Sequence, residues 1–158
     1  MATYTDTLGF NKGSTALPAQ ALHRVHEVSI TLDFTKIIAA RLAAGATALA
    51  ASDVLEVIPI PAGTVVSNVG MEVVTVAASG TIAIGDGTAA AGYQAAQAVS
   101  ATGFFSGVPV LSAGAFTPSL SGGKLYAAAD TIDITIGTAV PALAVVRIFA
   151  TFTNVNGY

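Results

Sequence analysis

Two histidines lie three positions apart, His23 and His26, with Glu27 beside the second. On a helix this spacing would put both rings on one face and supply half a metal site. On a strand the rings point to opposite faces. The neighbouring residues alternate as a strand does, and the chain has no third histidine and no cysteine to complete a zinc shell. The pair reads better as imidazoles in a contact between subunits, which would make that contact sensitive to pH.

Asp86, Asp130 and Asp133 could converge on a hard cation together with loop carbonyls. Such a site needs six or more oxygens, and no EF-hand spacing accompanies them. Asp86 stands between two glycines, where a tight turn takes an acid for its own reasons, and Asp130 precedes a strand. The stretch GDGTAAAG has the wrong glycine spacing for a dinucleotide fingerprint, and no G-x-S-x-G, P-loop or H-E-x-x-H occurs. The few acids alternate along solvent faces and do not pair across a cleft. No enzyme activity, cofactor or resident metal is expected. Arg24, Arg41 and Arg147 each adjoin apolar residues. Each is either a surface cation laying its stem on those neighbours or a two-pronged anchor for a partner's carboxylate. Arg147 is the first to test, because it lies inside the strongest terminal strand.

The elements that must position these residues are mostly strands. Val28, Ile30, Leu32 and Phe34 alternate with Glu27, Ser29, Thr31 and Asp33, the pattern of a half-buried strand. TKIIAARLAAGATALAAS has Ala-rich helical propensity, with Ile38 and Leu42 one turn apart and Gly45 as interruption, so a helix of two or three turns is expected. DVLEVIPIP predicts a strand ended by Pro59 and Pro61, with PAGT as its turn. TVVSNVGMEVVTV predicts a strand kinked at Gly70, and TIAIGDGT a short strand closing in a turn. Residues 88–123 are loop-rich, with short strands expected around 103–106 and 108–111. KLYAA, DTIDITIG and ALAVVRIFATFTNV complete the set, and GTAVPA suits a hairpin loop between the last two. Ile134 and Phe149 are expected in the core.

Seven to nine strands with one helix exclude a parallel α/β fold, which needs a helix between successive strands. The expected fold is all-β: an antiparallel β-sandwich, jelly-roll-like, over residues 23–158, with one short Ala-rich helix. Residues 1–22 show no period and form an extended N-terminal arm that orders on a neighbour, or else a frayed terminus.

Of the 158 residues, 53% are hydrophobic and only 9% charged, against roughly 25% charged in ordinary globular chains. A compact monomer of this size exposes on the order of 7,000 Å², or about one charge per 500 Å². Neutral patches on that scale invite association, so coverage by other chains is expected. A net charge of −3 with no run of Lys or Arg argues against direct nucleic-acid binding. Mean hydropathy is +0.72, yet no apolar run of 18 residues occurs, so no membrane span is expected. No signal peptide is visible at the start. The absence of cysteine removes disulfides and is compatible with assembly in a host cytoplasm.

The order LDFTKI, an Ala-rich run, DVLEVIPIPAGTVV, TIAIGDGT and YAAADTIDITI resembles small structural proteins of tailed bacteriophage virions, above all the head decoration, or cement, proteins. The resemblance covers residues 28–153 and carries over no site residue. It implies an oligomer, often a trimer, on the outside of the capsid shell, clamping neighbouring copies of the major capsid protein. The arm, through Leu8 and Phe10, would reach a neighbouring subunit. Two rivals stay open. One is a tail or fibre-base protein attaching to a host surface, for which Tyr93, Phe104, Phe105 and Phe116 are candidate exposed aromatics, unless they simply pack within their loops. The other is a sugar-binding sandwich, which would need an exposed aromatic beside paired Asp and Asn.

Overall fold

The computed structural model describes residues 25–107 and 123–154. Nine strands and one helix follow in order: β1 (Val25–Asp33), α1 (Phe34–Ala43), β2 (Val54–Ile60), β3 (Thr64–Thr75), β4 (Thr81–Gly85), β5 (Gln94–Ala98), β6 (Gly103–Gly107), β7 (Lys124–Tyr126), β8 (Asp130–Ile136) and β9 (Val145–Asn154). One sheet has the order β1-β9-β3-β6, with β7 completing the far edge of β3. The other has the order β2-β8-β4-β5, and all pairings are antiparallel. The pairs β4·β5, β3·β6, β2·β8 and β1·β9 nest inside one another in sequence. They trace one long hairpin folded over into two facing sheets, the antiparallel β-sandwich expected from the sequence.

The core lies between the sheets and follows from alternation. Ile132, Ile134 and Ile136 of β8 are completely buried, as are Ile82 and Ile84 of β4. They face Val66, Val69 and Met71 of β3 and Val146, Ile148 and Ala150 of β9, also fully buried. β1 turns Val28, Ile30 and Leu32 to the same side, in an unbroken register against β9.

α1 begins where expected. Asp33 caps it by accepting a hydrogen bond from the Lys36 amide at 3.2 Å, and Phe34 plugs the core with no exposure. Its end is set by Gly45, whose φ of +66° is a left-handed conformation that costs glycine nothing. The Arg41 guanidinium donates to the Thr47 carbonyl at 2.8 and 3.1 Å and so fastens the following loop. Leu42, however, stands 78% exposed, so the Ile38–Leu42 spacing marks helix but not a buried face.

Four further expectations need correction. β2 runs through Pro59 to Ile60, which a strand at a sheet edge tolerates because proline's missing N–H need not face a partner. The irregularities of β3 fall at Val66/Asn68 and Val73/Thr75, not at Gly70. GTAVPA links strands in different sheets and forms no hairpin. β5, with sequence QAAQA, was not expected at all. The strand expected at 103–106 is β6; that at 108–111 lies outside the described residues, as does the arm.

Candidate interaction surfaces

Three places concentrate what this sandwich offers chemically. The first is a buried polar cluster joining the sheets. The β4–β5 loop turns on Asp86, whose Oδ1 accepts from the backbone amides of Thr88 and Ala89, both at 2.9 Å. Its Oδ2 accepts the Tyr126 hydroxyl at 2.5 Å and the Lys124 ammonium, both from β7 in the opposite sheet. The Tyr93 and Tyr126 hydroxyls meet at 2.6 Å, and the ammonium sits 4.6 Å from the Tyr126 ring centre. Burial pushes the Asp86 carboxyl up, but Lys124, Tyr126 and the two amides outweigh it and hold the group below its ordinary value. Burial raises both tyrosines, reinforced at Tyr126 by its bond to Asp86, so neither ionises in any ordinary buffer. The cluster is a clamp: a satisfied ion pair with no vacant acceptor aimed at solvent.

Asp133 lies under this loop on the outer side of β8, accepting from Thr131 Oγ1 at 2.6 Å. Burial raises its carboxyl, and Glu56, Asp130 and Asp86 add like charge. The three aspartates considered for a cation lie near enough to repel one another. Asp86 is already neutralised by Lys124, and among the described residues no group of three metal-ligating side chains assembles.

The second place is the outer face of the β1-β9-β3-β6 sheet. Arg147 Nη2 pairs with Glu72 Oε2 at 2.5 Å, directly across the β9–β3 ladder. The carboxylate meeting Arg147 therefore belongs to its own chain, although the guanidinium remains about half exposed. Beside the pair, Phe104 stacks on Phe149 with ring centres 4.8 Å apart and planes 10° from parallel. Phe149 is buried but on this face, not in the sandwich core, because β9 carries apolar residues at both parities. Gly70 makes room for it, since a Cβ there would come within 2.2 Å of Phe149 Cζ and 2.7 Å of the Phe105 carbonyl oxygen. Phe104 is left 63% exposed. Of the other loop aromatics, Tyr93 is wholly buried, Phe105 packs against the core, and Phe116 lies outside the described residues.

The third place is a hollow of about 210 Å³ where β1 begins, β2 ends, β3 begins and β9 ends. His26, Val28, Ile58, Pro59, Pro61, Thr64 and Phe152 line it. His26 is half-buried on the inward side of β1, opposite Phe152. His23, Leu8 and Phe10 lie outside the described residues, so of the five candidate contact residues the structure places two, His26 and Arg147, in separate regions. Sequence reasoning missed the Asp86 clamp, the Gly70–Phe149 fit and the hollow. Only Gly70, a glycine inside an apolar strand, carried a local signal.

No family model matches the sequence, and no curated protein does. The fold has solved counterparts. A chain from the capsid of Ralstonia phage GP4 is 14% identical over 83% of this chain and 84% of its own, with a TM-score of 0.51. A chain from the cyanophage Pam1 capsid asymmetric unit is 14% identical, covering 94% and 96%, with a TM-score of 0.49. One from the acid-stable capsid of Helicobacter pylori bacteriophage KHP30 is 10% identical, covering 85% and 91%, with a TM-score of 0.47. With the GP4 capsid chain, this protein shares its fold.

Proposed function

We propose that this chain is a structural protein of a phage virion, and within that class a decoration, or cement, protein. It binds the outer surface of the head shell as an oligomer, a trimer, and bridges copies of the major capsid protein against the pressure of packaged DNA. The observation that carries the reading is the surface. Leu42, Leu143, Val25 and Phe104 are each more than 60% exposed, and Val54, Val74 and Leu125 more than 50%, on a chain with six cations and nine anions. A side chain of that size gains on the order of 1.5–3 kcal/mol when water is removed from it, so such a surface is served by contact. A standard interface buries about 1,600 Å² in total, and two or three per subunit would cover most of these positions. Repetition by symmetry then turns weak contacts into firm attachment. The fold shared with a phage capsid chain supports the same assignment.

The test is co-sedimentation with heads of the parent particle that lack this protein. Saturable binding at a fixed number of copies per head is expected. Binding to host cells and not to heads would overturn the assignment and favour a tail or fibre-base attachment protein.

A further inference from the structure

Resting on that oligomeric reading, we propose that the hollow between β1 and β2 receives Leu8 and Phe10 from the N-terminal segment of an adjoining copy. The size of the hollow sets the class of occupant. At about 210 Å³ it falls below the roughly 300 Å³ at which pockets for small molecules begin, and it suits one or two side chains. Its lining fixes the chemistry. Among the described residues, two prolines, two aliphatic residues and a phenylalanine line it beside His26 and Thr64, with no Asp, Glu, Lys or Arg.

The segment Thr7-Leu8-Gly9-Phe10 is the matching piece of chain, with no charge between Asp6 and Lys12. In extended conformation Leu8 and Phe10 project to one side, about 7 Å apart, while Gly9 presents no side chain opposite them. Length selects the donor. The chain enters the structure at Val25, one residue from the rim of the hollow. Turning back into the same hollow takes only a few residues and would bring Leu22 to it, not Leu8 or Phe10. Phe10 and Val25 stand fifteen positions apart, a span of about 50 Å when the chain is extended. A domain of this size is about 35–40 Å across, so the segment spans to the equivalent hollow of a touching neighbour. Exchange of this kind around a ring uses every hollow once and closes the oligomer.

The natural chain has no cysteine, so single cysteines report directly. Full-length Phe10→Cys and Pro59→Cys variants, the latter at an exposed position on the rim, are mixed and mildly oxidised in the absence of heads. The expected result is a band of two-chain mass containing one copy of each variant, in excess over a mixture of Phe10→Cys with Leu143→Cys. A double variant that closes only an internal disulfide would overturn the exchange, and so would equal yields with the Pro59 and Leu143 partners. The same variants, reduced, are tested for co-sedimentation with heads. Head binding without the specific cross-link overturns the occupied hollow alone, whereas the cross-link without head binding overturns the decoration reading alone.

Discussion

Asp86 is removed from water and given four donors in exchange, so the energetics of the clamp turn on whether all four remain. Asp86→Asn takes the counter-charge away from the Lys124 ammonium, whose side chain is only about one-fifth exposed. A loss of about 3 kcal/mol is expected in denaturant unfolding, the low end of what breaking a buried pair costs. Asp133 has the opposite sign. Its carboxyl is raised, so its ionised form costs stability at neutral pH, and that cost disappears as pH falls through the raised value. Asp86 is lowered, so its contribution is full above about 3.8 and is lost as pH falls through its lower folded value. The melting temperature of the wild type should therefore rise slightly on mild acidification and fall below about pH 4. Asp133→Asn should be at least as stable as wild type at pH 7 and lack the rise. A wild-type profile falling monotonically from pH 7 would show that Asp133 is solvated. Little of this was legible beforehand. Asp86 announces itself as a turn residue, which it is, but Lys124 and Tyr126 lie 38 and 40 positions away and no local pattern connects them.

Among the elements, alternation was a dependable guide wherever one parity alone was apolar. β1 and β8 are such strands, and their apolar residues turn inward as expected, although Asp133 on the other parity of β8 is buried as well. It failed at β9, where Val146, Ile148, Ala150 and Phe152 fill one face while Phe149 occupies the other, and at β5, whose alanines and glutamines carry no strand signal. Ile134→Ala removes a fully buried side chain between the sheets and should cost about 3–4 kcal/mol. Leu42→Ala, on the exposed side of α1, should change stability by no more than about 0.5 kcal/mol. Gly70→Ala separates a kink from a fit. A kink would tolerate the methyl group, but here it collides with Phe149 and a backbone carbonyl, and overpacking should cost about 2 kcal/mol. A neutral outcome would mean that Phe149 leaves Gly70 readily and that the aromatic stack is loose.

At the scale of the whole molecule, the poverty of charge was visible in composition and the sandwich in the spacing of its strands, whereas the pairing order was not, because nesting depends on contacts distant in sequence. Light scattering of the isolated protein should show a closed oligomer, and removal of residues 1–20 should yield a folded species of lower mass with unchanged far-UV circular dichroism. Unfolding on removal would place that segment in the core. The topology bears on synthesis as well. β9 is the last described strand to be made, yet it lies in the middle of its sheet, flanked by β1 and β3. Until it emerges from the ribosome, β1 has no partner in that sheet, and a contact spanning more than a hundred residues closes slowly. A prematurely terminated polypeptide is then left with a split sheet and an open core, a substrate for proteases, so topology itself screens which copies survive as folded protein.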